Sequence, residues 1–284
     1  MSYVVTGATG PLGRGVVESL LERGVDPAEI VATGRSVEKI ADLAERGVRV
    51  EVLDFDDVPT SVPWLTADDV VLLVSGSEVG RRVPQHTAVV ELAQRAGVRR
   101  LVYTSAPAAD DTTLVVAPEH AATEAVVRAS GLPFTFLRNG WYTENYQPTF
   151  DQARATGAVA GSAGDGRVAS APRADFAEAA AVVLSTDGHD GAVYELSGDT
   201  AWDFDELASV FGNALGSEVT YQRLTPEQHH AALLEADLDE GSAGFVVALD
   251  QNARDGLLAV TTGELGKLLG RPTVPLAETV SSWV

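Results

Sequence analysis

Short apolar runs alternate with segments of helical hydrophobic spacing along the first half of the chain. In the first helical segment, the apolar residues Val16, Val17, Leu20 and Leu21 recur at the period of an α-helix. The run at 69–74 is apolar almost throughout, which is typical of a strand that is covered on both faces of its sheet. The predicted strands occupy 3–5, 30–33, 48–53, 69–74, 100–105 and 134–137. Strands that alternate with helices predict an α/β fold of the Rossmann type, with a doubly wound parallel sheet.

The pattern changes after about residue 140. Glycine and alanine dominate 157–173, and Gly164-Asp165-Gly166 predicts a hairpin turn. Asp175 is placed to cap an alanine-rich helix, and shorter strand and helix patterns follow it. We therefore expect a Rossmann domain over 1–140 and a smaller α/β substrate lobe over 141–284, with some segments of the second part returning to the Rossmann sheet.

The turn between the first strand and the first helix is rich in glycine. Gly7, Gly10 and Gly13 recur at every third position and open the helix. Glycines let a backbone turn sharply and approach a diphosphate, while the N-terminus of a helix presents free N–H groups and a partial positive charge. An ordinary strand–turn–helix joint can have the same composition, but this one follows the first strand, where a nucleotide-binding unit would begin. The loop predicts a nucleotide site.

Arg35 ends the second strand, at the position where an acidic residue would bind the ribose hydroxyls of NAD. A guanidinium there can bind a 2′-phosphate through two parallel hydrogen bonds, which favours NADP over NAD. Asp54 ends the third strand and can accept a hydrogen bond from an adenine amino group, although a carboxylate that caps its own turn fits nearly as well. The small residues Ser75, Gly76 and Ser77 end the fourth strand and would allow a cofactor to approach closely.

Charge and composition exclude several classes of function. A formal net charge of −21 argues against a nucleic-acid partner, because phosphate binding needs clustered Lys and Arg. The chain has no cysteine, and the adjacent His229 and His230 point to different faces of a helix, so we expect no metal site. No apolar stretch is long enough to cross a bilayer, and we expect a cytoplasmic protein that does not bind membranes. The sequence leaves open whether the protein forms a homo-oligomer.

An aromatic and amide-rich stretch without a clear period follows the sixth strand, at 138–146. Large aromatic rings beside hydrogen-bonding groups suit a pocket for a flat organic molecule, and they equally suit a loop that packs on itself. The residues alone leave these two interpretations open.

The loop at 6–13 resembles the cofactor loop of the NmrA-like group of atypical short-chain dehydrogenase/reductases. Longer stretches resemble the type 2 NAD(P)H:quinone oxidoreductases more specifically, and the likeness weakens between about 237 and 256. These stretches are 77–81, 119–120, 138–146, 163–166, 173–175 and 194–196.

The resemblance implies NADPH in the cleft and a flat, electrophilic acceptor at the nicotinamide. The residues that it implies along the cofactor are Gly7, Thr9, Gly10, Pro11, Leu12, Gly13, Arg35, Asp54, Phe55, Ser75, Gly76, Ser77, Thr104 and Ser105. The residues that it implies around the acceptor are Asn139, Trp141, Tyr142 and Asn145.

The chain departs from the wider superfamily in its catalytic helix. Most short-chain dehydrogenases use a Tyr-x-x-x-Lys pair to move a proton at an alcohol oxygen, whereas the matching helix here reads His120-Ala121-Ala122-Thr123-Glu124. Alcohol–ketone chemistry is therefore disfavoured, while a quinone accepts hydride readily and its reduced oxygen can take a proton from water. Catalysis would then depend mainly on holding the acceptor against the nicotinamide. The candidate catalytic residues are Tyr142, His120 and Asn139, although a helix-surface or cofactor-contacting role fits His120 slightly better than proton donation.

The leading hypothesis is an NADPH-dependent reductase that transfers a hydride directly to quinones or similar flat acceptors, since no flavin motif or redox thiol is evident. A reductase of triphenylmethane-type dyes, or of conjugated carbonyls and imines, is the alternative enzyme. A non-catalytic redox sensor that binds NADP(H) and acts through a protein partner is the alternative from another class. The stretch 141–146 favours an enzyme, because a sensor would not need an acceptor pocket.

Overall fold

A seven-stranded sheet forms the centre of the computed structural model, which describes residues 1–284. The strands of the whole chain are β1 (Tyr3–Val5), β2 (Ile30–Gly34), β3 (Arg49–Val52), β4 (Val70–Leu73), β5 (Arg100–Ser105), β6 (Phe134–Asn139), β7 (Ala158–Gly161), β8 (Arg167–Val168), β9 (Val193–Leu196), β10 (Trp202–Asp203) and β11 (Thr220–Arg223). The α-helices are α1 (Pro11–Glu22), α2 (Ala41–Glu45), α3 (Arg82–Ala96), α4 (Ala117–Ala129), α5 (Gln147–Thr156), α6 (Arg173–Ser185), α7 (Phe204–Leu215), α8 (Pro226–Glu235), α9 (Glu240–Arg254), α10 (Glu264–Leu269) and α11 (Leu276–Ser281).

The central sheet has the order β3-β2-β1-β4-β5-β6-β9, and every neighbouring pair is parallel. The chain moves outward from β1 to β3 and then crosses back to β4, so the switch point lies between β1 and β4. All carboxyl ends therefore meet at one edge, where ligands bind in sheets of this kind. The Rossmann-type fold is confirmed.

Helices cover both faces of the sheet. On one face, α1 and α6 pack so closely that a Cβ added to Gly15 would lie 3.0 Å from the Ala177 Cβ. On the other face, α3 contributes the buried side chains of Val89 and Val90, which lie in one hydrophobic cluster with Tyr103 of β5. Both faces are thus covered, which explains why β4 and β5 are buried along their whole length.

The second part of the chain contributes to two structures. Strand β9 pairs with β6 in the central sheet, and α6 packs on α1, as expected for segments that return to the Rossmann sheet. The remaining elements form a lobe with a buried aromatic cluster that includes Phe150, Trp202 and Phe211. The division of the chain at residue 140 stays a prediction.

The predicted hairpin at 164–166 is wrong. The turn itself forms, with Gly164 at a φ of +59° and a hydrogen bond of 2.9 Å from Gly166 N–H to the Ala163 carbonyl. The flanking strands do not pair with each other, because β7 pairs with β11 and β8 pairs with β10. Turn residues specify a local reversal of the chain but not the partners of its strands.

Asp175 does not cap α6 at its first turn, contrary to expectation. Its buried carboxylate accepts hydrogen bonds from Val274 N–H at 2.8 Å and from Arg271 Nη2 at 2.9 Å, which fastens the C-terminal segment to the sheet domain. The N-terminus of α6 is capped instead by Glu144, whose two carboxylate oxygens accept from Arg173 N–H at 2.9 Å each. A carboxylate at this position also complements the helix dipole.

The segment at 237–256, where the resemblance is weakest, contains α9. The helix is packed into the lobe through polar side chains. Asn252 Oδ1 accepts from Val115 N–H at 2.9 Å, and Asp250 Oδ2 accepts from Ser162 N–H at 2.6 Å. His229 of α8 adds Nδ1 at 3.0 Å from the same Asp250 oxygen. The segment is thus a fixed part of the lobe. No helix of the chain combines the length and the apolar character that a membrane span requires.

Candidate active site

A cleft of about 360 Å³ opens at the carboxyl edge of the central sheet, beside the switch point between β1 and β4. It is lined by most of the residues that the sequence singled out for the cofactor, together with one residue singled out for the acceptor. These residues are Gly7, Thr9, Gly10, Pro11, Leu12, Gly13, Arg35, Asp54, Phe55, Ser75, Gly76, Ser77 and Tyr142. The further lining residues, which the sequence did not single out, are Gly34, Leu53, Val74, Glu78, Gln85 and Arg173.

The glycine loop leaves no room for side chains where it turns into α1. Gly7 has a φ of +62°, which favours glycine, and a Cβ on Gly13 would lie 2.5 Å from the Gly7 carbonyl oxygen. The N–H groups of Leu12 and Gly13 donate to no acceptor in the chain, as expected for the first turn of a helix. The loop is therefore a backbone cradle with free donors at the positive end of a helix dipole, and it fits a diphosphate.

Arg35 follows β2 at the rim of the cleft. Its side chain is 61% exposed, and its Nη1 lies 3.4 Å from Glu78 Oε1. Exposed ion pairs of this kind contribute little free energy, about 0–1 kcal/mol, so a bound phosphate can replace Glu78 as the partner of the guanidinium. The arrangement fits a 2′-phosphate that binds Arg35 in a fork geometry.

Asp54 lines the cleft, and its carboxylate caps the turn that follows β3. Its Oδ1 accepts a hydrogen bond from Asp56 N–H at 3.0 Å, which is the turn-capping alternative that the sequence left open. The neighbouring Phe55 packs edge-on against the His86 ring, with the centroids 6.3 Å apart. The contact of Asp54 with an adenine therefore stays a prediction.

Gly76 is held by two residues of α3. Its N–H donates to His86 Nε2 at 3.0 Å, and its carbonyl accepts from Arg82 Nε at 2.6 Å. Because Nε2 accepts, His86 carries its proton on Nδ1, which donates to Thr123 Oγ1 at 3.0 Å. Burial, with a further contribution from the charge of Arg82, lowers the pKa of His86 to about 4. A neutral imidazole therefore fixes the wall of the cleft at Gly76.

Thr104 and Ser105 support the cleft from behind and do not line it. Thr104 Oγ1 accepts from Ser75 N–H at 2.8 Å and so holds the turn that follows β4. Ser105 is buried, and its hydroxyl donates to Glu124 Oε1 at 2.6 Å. Consecutive residues of a strand point to opposite faces of the sheet, so these two side chains cannot extend the same surface. Their direct contact with a cofactor stays a prediction.

Glu124 occupies the place of the superfamily lysine and belongs to a buried ionic cluster. Arg138 donates from Nε to Glu124 Oε1 at 2.9 Å and from Nη2 to Glu124 Oε2 at 2.7 Å. Its Nη1 donates to Glu195 Oε1 at 2.9 Å, across the pair formed by β6 and β9. These charge-assisted hydrogen bonds raise the pKa of Arg138. The helix position that carries proton chemistry elsewhere is here a structural bridge between α4 and the sheet.

Tyr142 lies at the end of the cleft, where the lobe meets the sheet. Its hydroxyl oxygen accepts from Asn139 Nδ2 at 3.1 Å, and its ring packs edge-on against Phe176 with the centroids 5.1 Å apart. Burial raises the pKa of the phenol, although the hydrogen bond from Asn139 and the charge of Arg173 oppose that shift. Tyr142 is therefore protonated at neutral pH, and its proton is not donated to any group of the chain. Asn139 Oδ1 is also buried without a partner.

Of the four residues predicted around the acceptor, only Tyr142 lines the cleft, and Asn139 is buried behind it. Trp141 lies against the aromatic cluster of the lobe, and its buried Nε1 has no acceptor within hydrogen-bonding distance. The side chain of Asn145 is exposed, and its backbone N–H donates to the Tyr142 carbonyl at 3.1 Å. Their roles in acceptor binding stay predictions.

His120 is buried away from the cleft. Its Nδ1 shares a hydrogen bond of 2.8 Å with the hydroxyl of Tyr103. Burial lowers the pKa of His120 to about 3, with smaller contributions from the charges of Arg82 and His86. His120 does not line the cleft and burial keeps its imidazole neutral, so its role as a proton donor stays a prediction.

Sequence reasoning missed two charged residues of the cleft, Glu78 and Arg173. Both lie within stretches that resemble the quinone oxidoreductases, at 77–81 and 173–175. A charged side chain in the loop after a predicted strand, or just before a predicted helix, at the carboxyl edge was the available signal.

A Rossmann sheet with a glycine loop at its switch point and an arginine after its second strand defines a dinucleotide-binding protein of the dehydrogenase/reductase class. Residues 7–187 match the family model described as NAD(P)H-binding. The chain belongs to this NAD(P)H-binding family and to its NmrA-like, atypical short-chain dehydrogenase/reductase branch, which confirms the resemblance and the expectation of a nicotinamide cofactor.

Relatives and solved structures of similar sequence cover almost the whole chain. Quinone oxidoreductase 2 of Escherichia coli K12 is 44% identical over 98% of this chain and 96% of its own length. The crystal structure of the NADPH-dependent E. coli quinone oxidoreductase in complex with NADPH superposes with a TM-score of 0.94, covering 99% of both chains. The triphenylmethane reductase of Citrobacter sp., complexed with NADP(H), is 33% identical with a TM-score of 0.91 and covers 100% of both chains.

Proposed function

We propose that this protein is an NADPH-dependent two-electron reductase of quinones or similar flat electrophilic acceptors. The observation that carries the proposal is the hydrogen bond between Tyr142 and Asn139 at the end of the nucleotide cleft. The matching helix of the fold lacks the Tyr-x-x-x-Lys pair. The similarity to quinone oxidoreductase 2 over nearly the whole chain supports the same conclusion.

The cofactor would supply a hydride from its reduced nicotinamide, and the chain provides the groups that hold it. The free N–H groups of Leu12 and Gly13 would bind the diphosphate, and Arg35 the 2′-phosphate. The turn at Gly76, fixed by His86 and Arg82, would support the part of the cofactor nearer the acceptor. The exposed guanidinium of Arg35, whose partner Glu78 a phosphate can replace, supports NADPH over NADH.

Tyr142 and Asn139 would orient the acceptor. The phenol keeps its proton and has an open donor direction, so it would donate a hydrogen bond to an acceptor oxygen on which negative charge develops. Asn139 would hold the phenol in place through Nδ2 and offer Oδ1 as an acceptor. Behind this site, Glu124 of α4 accepts hydrogen bonds from Arg138 of β6 and from Ser105 of β5.

A reductase of triphenylmethane-type dyes is the second candidate. The Citrobacter enzyme of that name has the same fold over its whole length at 33% identity. Dyes of this class accept hydride at carbon and need no hydrogen-bond donor at an oxygen, so removal of the Tyr142 phenol should slow quinone reduction more than dye reduction. A non-catalytic sensor would bind the cofactor equally well but would turn over neither acceptor.

A titration with NADPH and NADP⁺, followed by an acceptor screen, tests the proposal. We expect acceptor-dependent oxidation of NADPH with benzoquinone or naphthoquinone, and a lower kcat/KM with crystal violet. Binding of the cofactor without turnover of any acceptor would support the non-catalytic sensor instead. A higher kcat/KM with the dye than with the quinones would support the dye reductase. The proposal includes a small-molecule partner and, from the cysteine-free composition, the cytoplasm as the compartment.

A further inference from the structure

Arg173 is the basic residue of the cleft whose side chain forms no ion pair. The protein has 41 acidic residues against 20 basic ones, and the other cleft arginine, Arg35, pairs with Glu78. The guanidinium of Arg173 makes neither an ion pair nor a hydrogen bond, although the residue is half-buried and lines the cleft. The contact of Glu144 with this residue goes to its backbone N–H, so that carboxylate is engaged in capping α6.

The side chain is held in place by stacking. The Arg173 guanidinium lies over the Tyr142 ring, 5.2 Å from the centroid. A cation in this position is attracted by the ring face, which orients the guanidinium without consuming its hydrogen-bond donors. All of its N–H groups therefore remain available for a ligand.

The position of Arg173 places this charge between the two ends of the cleft. The residue begins α6, which packs tightly beside α1 through Gly15 and Ala177, so it lies near the free N–H groups that open α1. On its other side it contacts Tyr142, the proposed acceptor-binding phenol. No other unpaired cation lines the cleft.

We propose that Arg173 is an anion-binding residue of this cleft and that its ligand is a phosphate, carboxylate or sulfonate group. The group can come from two sources: the diphosphate of the cofactor, or an acidic substituent on the acceptor. The second source rests on the proposed function and would make the enzyme selective for anionic quinones. In either case the guanidinium binds the oxygens in a planar fork, as arginine does with phosphate and carboxylate.

The test compares Arg173→Gln with Arg173→Lys and with Arg49→Gln. Arg49 is exposed, forms no ion pair and begins β3 at the opposite edge of the sheet, so its variant matches the change in net charge. The Kd of NADPH is measured by nicotinamide fluorescence. The Kd values of benzoquinone and of naphthoquinone sulfonate are measured by calorimetry on the complex with NADP⁺. These readouts need no turnover, so they remain informative if the proposed reductase activity fails.

We expect Arg173→Gln to raise the Kd of one anionic ligand about tenfold, as for a lost charge-assisted hydrogen bond. In Arg173→Lys the Kd should be partly restored. A weaker Kd for NADPH assigns the residue to the diphosphate. A weaker Kd for the sulfonate, with benzoquinone unchanged, assigns it to the acceptor. If Arg173→Gln matches Arg49→Gln for NADPH and for both quinones, the proposal is overturned. If Arg173→Gln binds no ligand and its circular-dichroism spectrum shows an unfolded chain, the same Kd values are compared between the wild type and Arg173→Lys. That variant keeps the positive charge and loses the planar fork.

Discussion

Asn139 Nδ2 donates a hydrogen bond of 3.1 Å to the hydroxyl oxygen of Tyr142 at the end of the cleft. A phenol oxygen that accepts in this way has its own O–H directed elsewhere, and no group of the chain receives it. Burial raises the pKa of the phenol, so the proton stays in place at neutral pH. Tyr142, which lines the cleft, therefore has a phenol proton that no group of the chain uses.

Replacing Tyr142 by Phe removes this donor and keeps the ring that packs on Phe176. We expect kcat with benzoquinone to fall at least about tenfold, because a donor aimed at developing negative charge acts mainly in the transition state. The Kd of NADPH should change less than about twofold. Steady-state kinetics and a fluorescence titration measure both values. An unchanged kcat would show that water or another group stabilises the acceptor oxygen.

The Arg35 assignment predicts a split between the two cofactors. In Arg35→Asp the Kd for NADPH should rise at least about tenfold, since a guanidinium is replaced by a charge that repels the 2′-phosphate. The Kd for NADH, which lacks that phosphate, should change little. Glu78→Gln is the matched variant, because it frees Arg35 from its exposed partner and should tighten NADPH by up to about fivefold. Equal effects on NADPH and NADH in Arg35→Asp would refute the assignment.

His86 is predicted to act on cofactor binding through Gly76. His86→Gln can still accept from Gly76 N–H and donate to Thr123, whereas His86→Phe fills the space without either hydrogen bond. We expect His86→Phe to weaken NADPH binding about tenfold and His86→Gln to recover most of the loss. Val89→Ala, a buried change on the same helix, is the control for general destabilisation. If Val89→Ala and His86→Phe lower the Tm equally and also raise the Kd of NADPH equally, the hydrogen bond to Gly76 has no specific role in cofactor binding.

The sheet and the glycine loop could be predicted from the sequence because both are local patterns. The apolar runs specify β1 to β6, and Gly7 and Gly13 are required where the loop turns into α1. The direction of Ser105 could not be predicted, since a strand that is buried on both faces shows no alternation between polar and apolar positions. Its partner Glu124 comes from another element, as does the Val274 N–H that binds Asp175.

The same limit applies to the strand partners and to the cleft charges. The turn at 164–166 could be predicted from its own residues, but the pairing of β7 with β11 depends on residues far along the chain. Arg173 reaches the cleft only because α6 packs on α1 and its backbone is capped by Glu144. Such contacts follow from tertiary packing, and local spacing contains no signal of them.

Stability should decrease on mild acidification because two histidines are buried in the neutral form. Burial lowers the pKa of His86 to about 4 and that of His120 to about 3, while an unfolded histidine titrates near about 6.5. Below about pH 6.5 the unfolded chain binds more protons, so the free energy of unfolding falls by about 1.4 kcal/mol per pH unit for each histidine. This stabilisation is complete above the unfolded pKa and is lost as the pH falls toward the folded values.

Urea unfolding between about pH 7 and about pH 5 measures this slope. A variant that carries His86→Gln and His120→Gln should show a shallower decline than the wild type, since carboxylates contribute equally to both. Identical slopes in the two proteins would mean that these imidazoles are protonated in the folded state or exposed to solvent.

The reaction proposed for this site transfers a hydride from NADPH to a quinone held at Tyr142. The direct measurement mixes the preformed complex of protein and NADPH with benzoquinone in a stopped-flow instrument, without oxygen or added flavin. We expect a fast loss of the reduced nicotinamide absorbance that requires the quinone, yields one hydroquinone per NADPH and slows in Tyr142→Phe. A complex that binds NADPH but loses this absorbance no faster with quinone and protein than with quinone alone would contradict it.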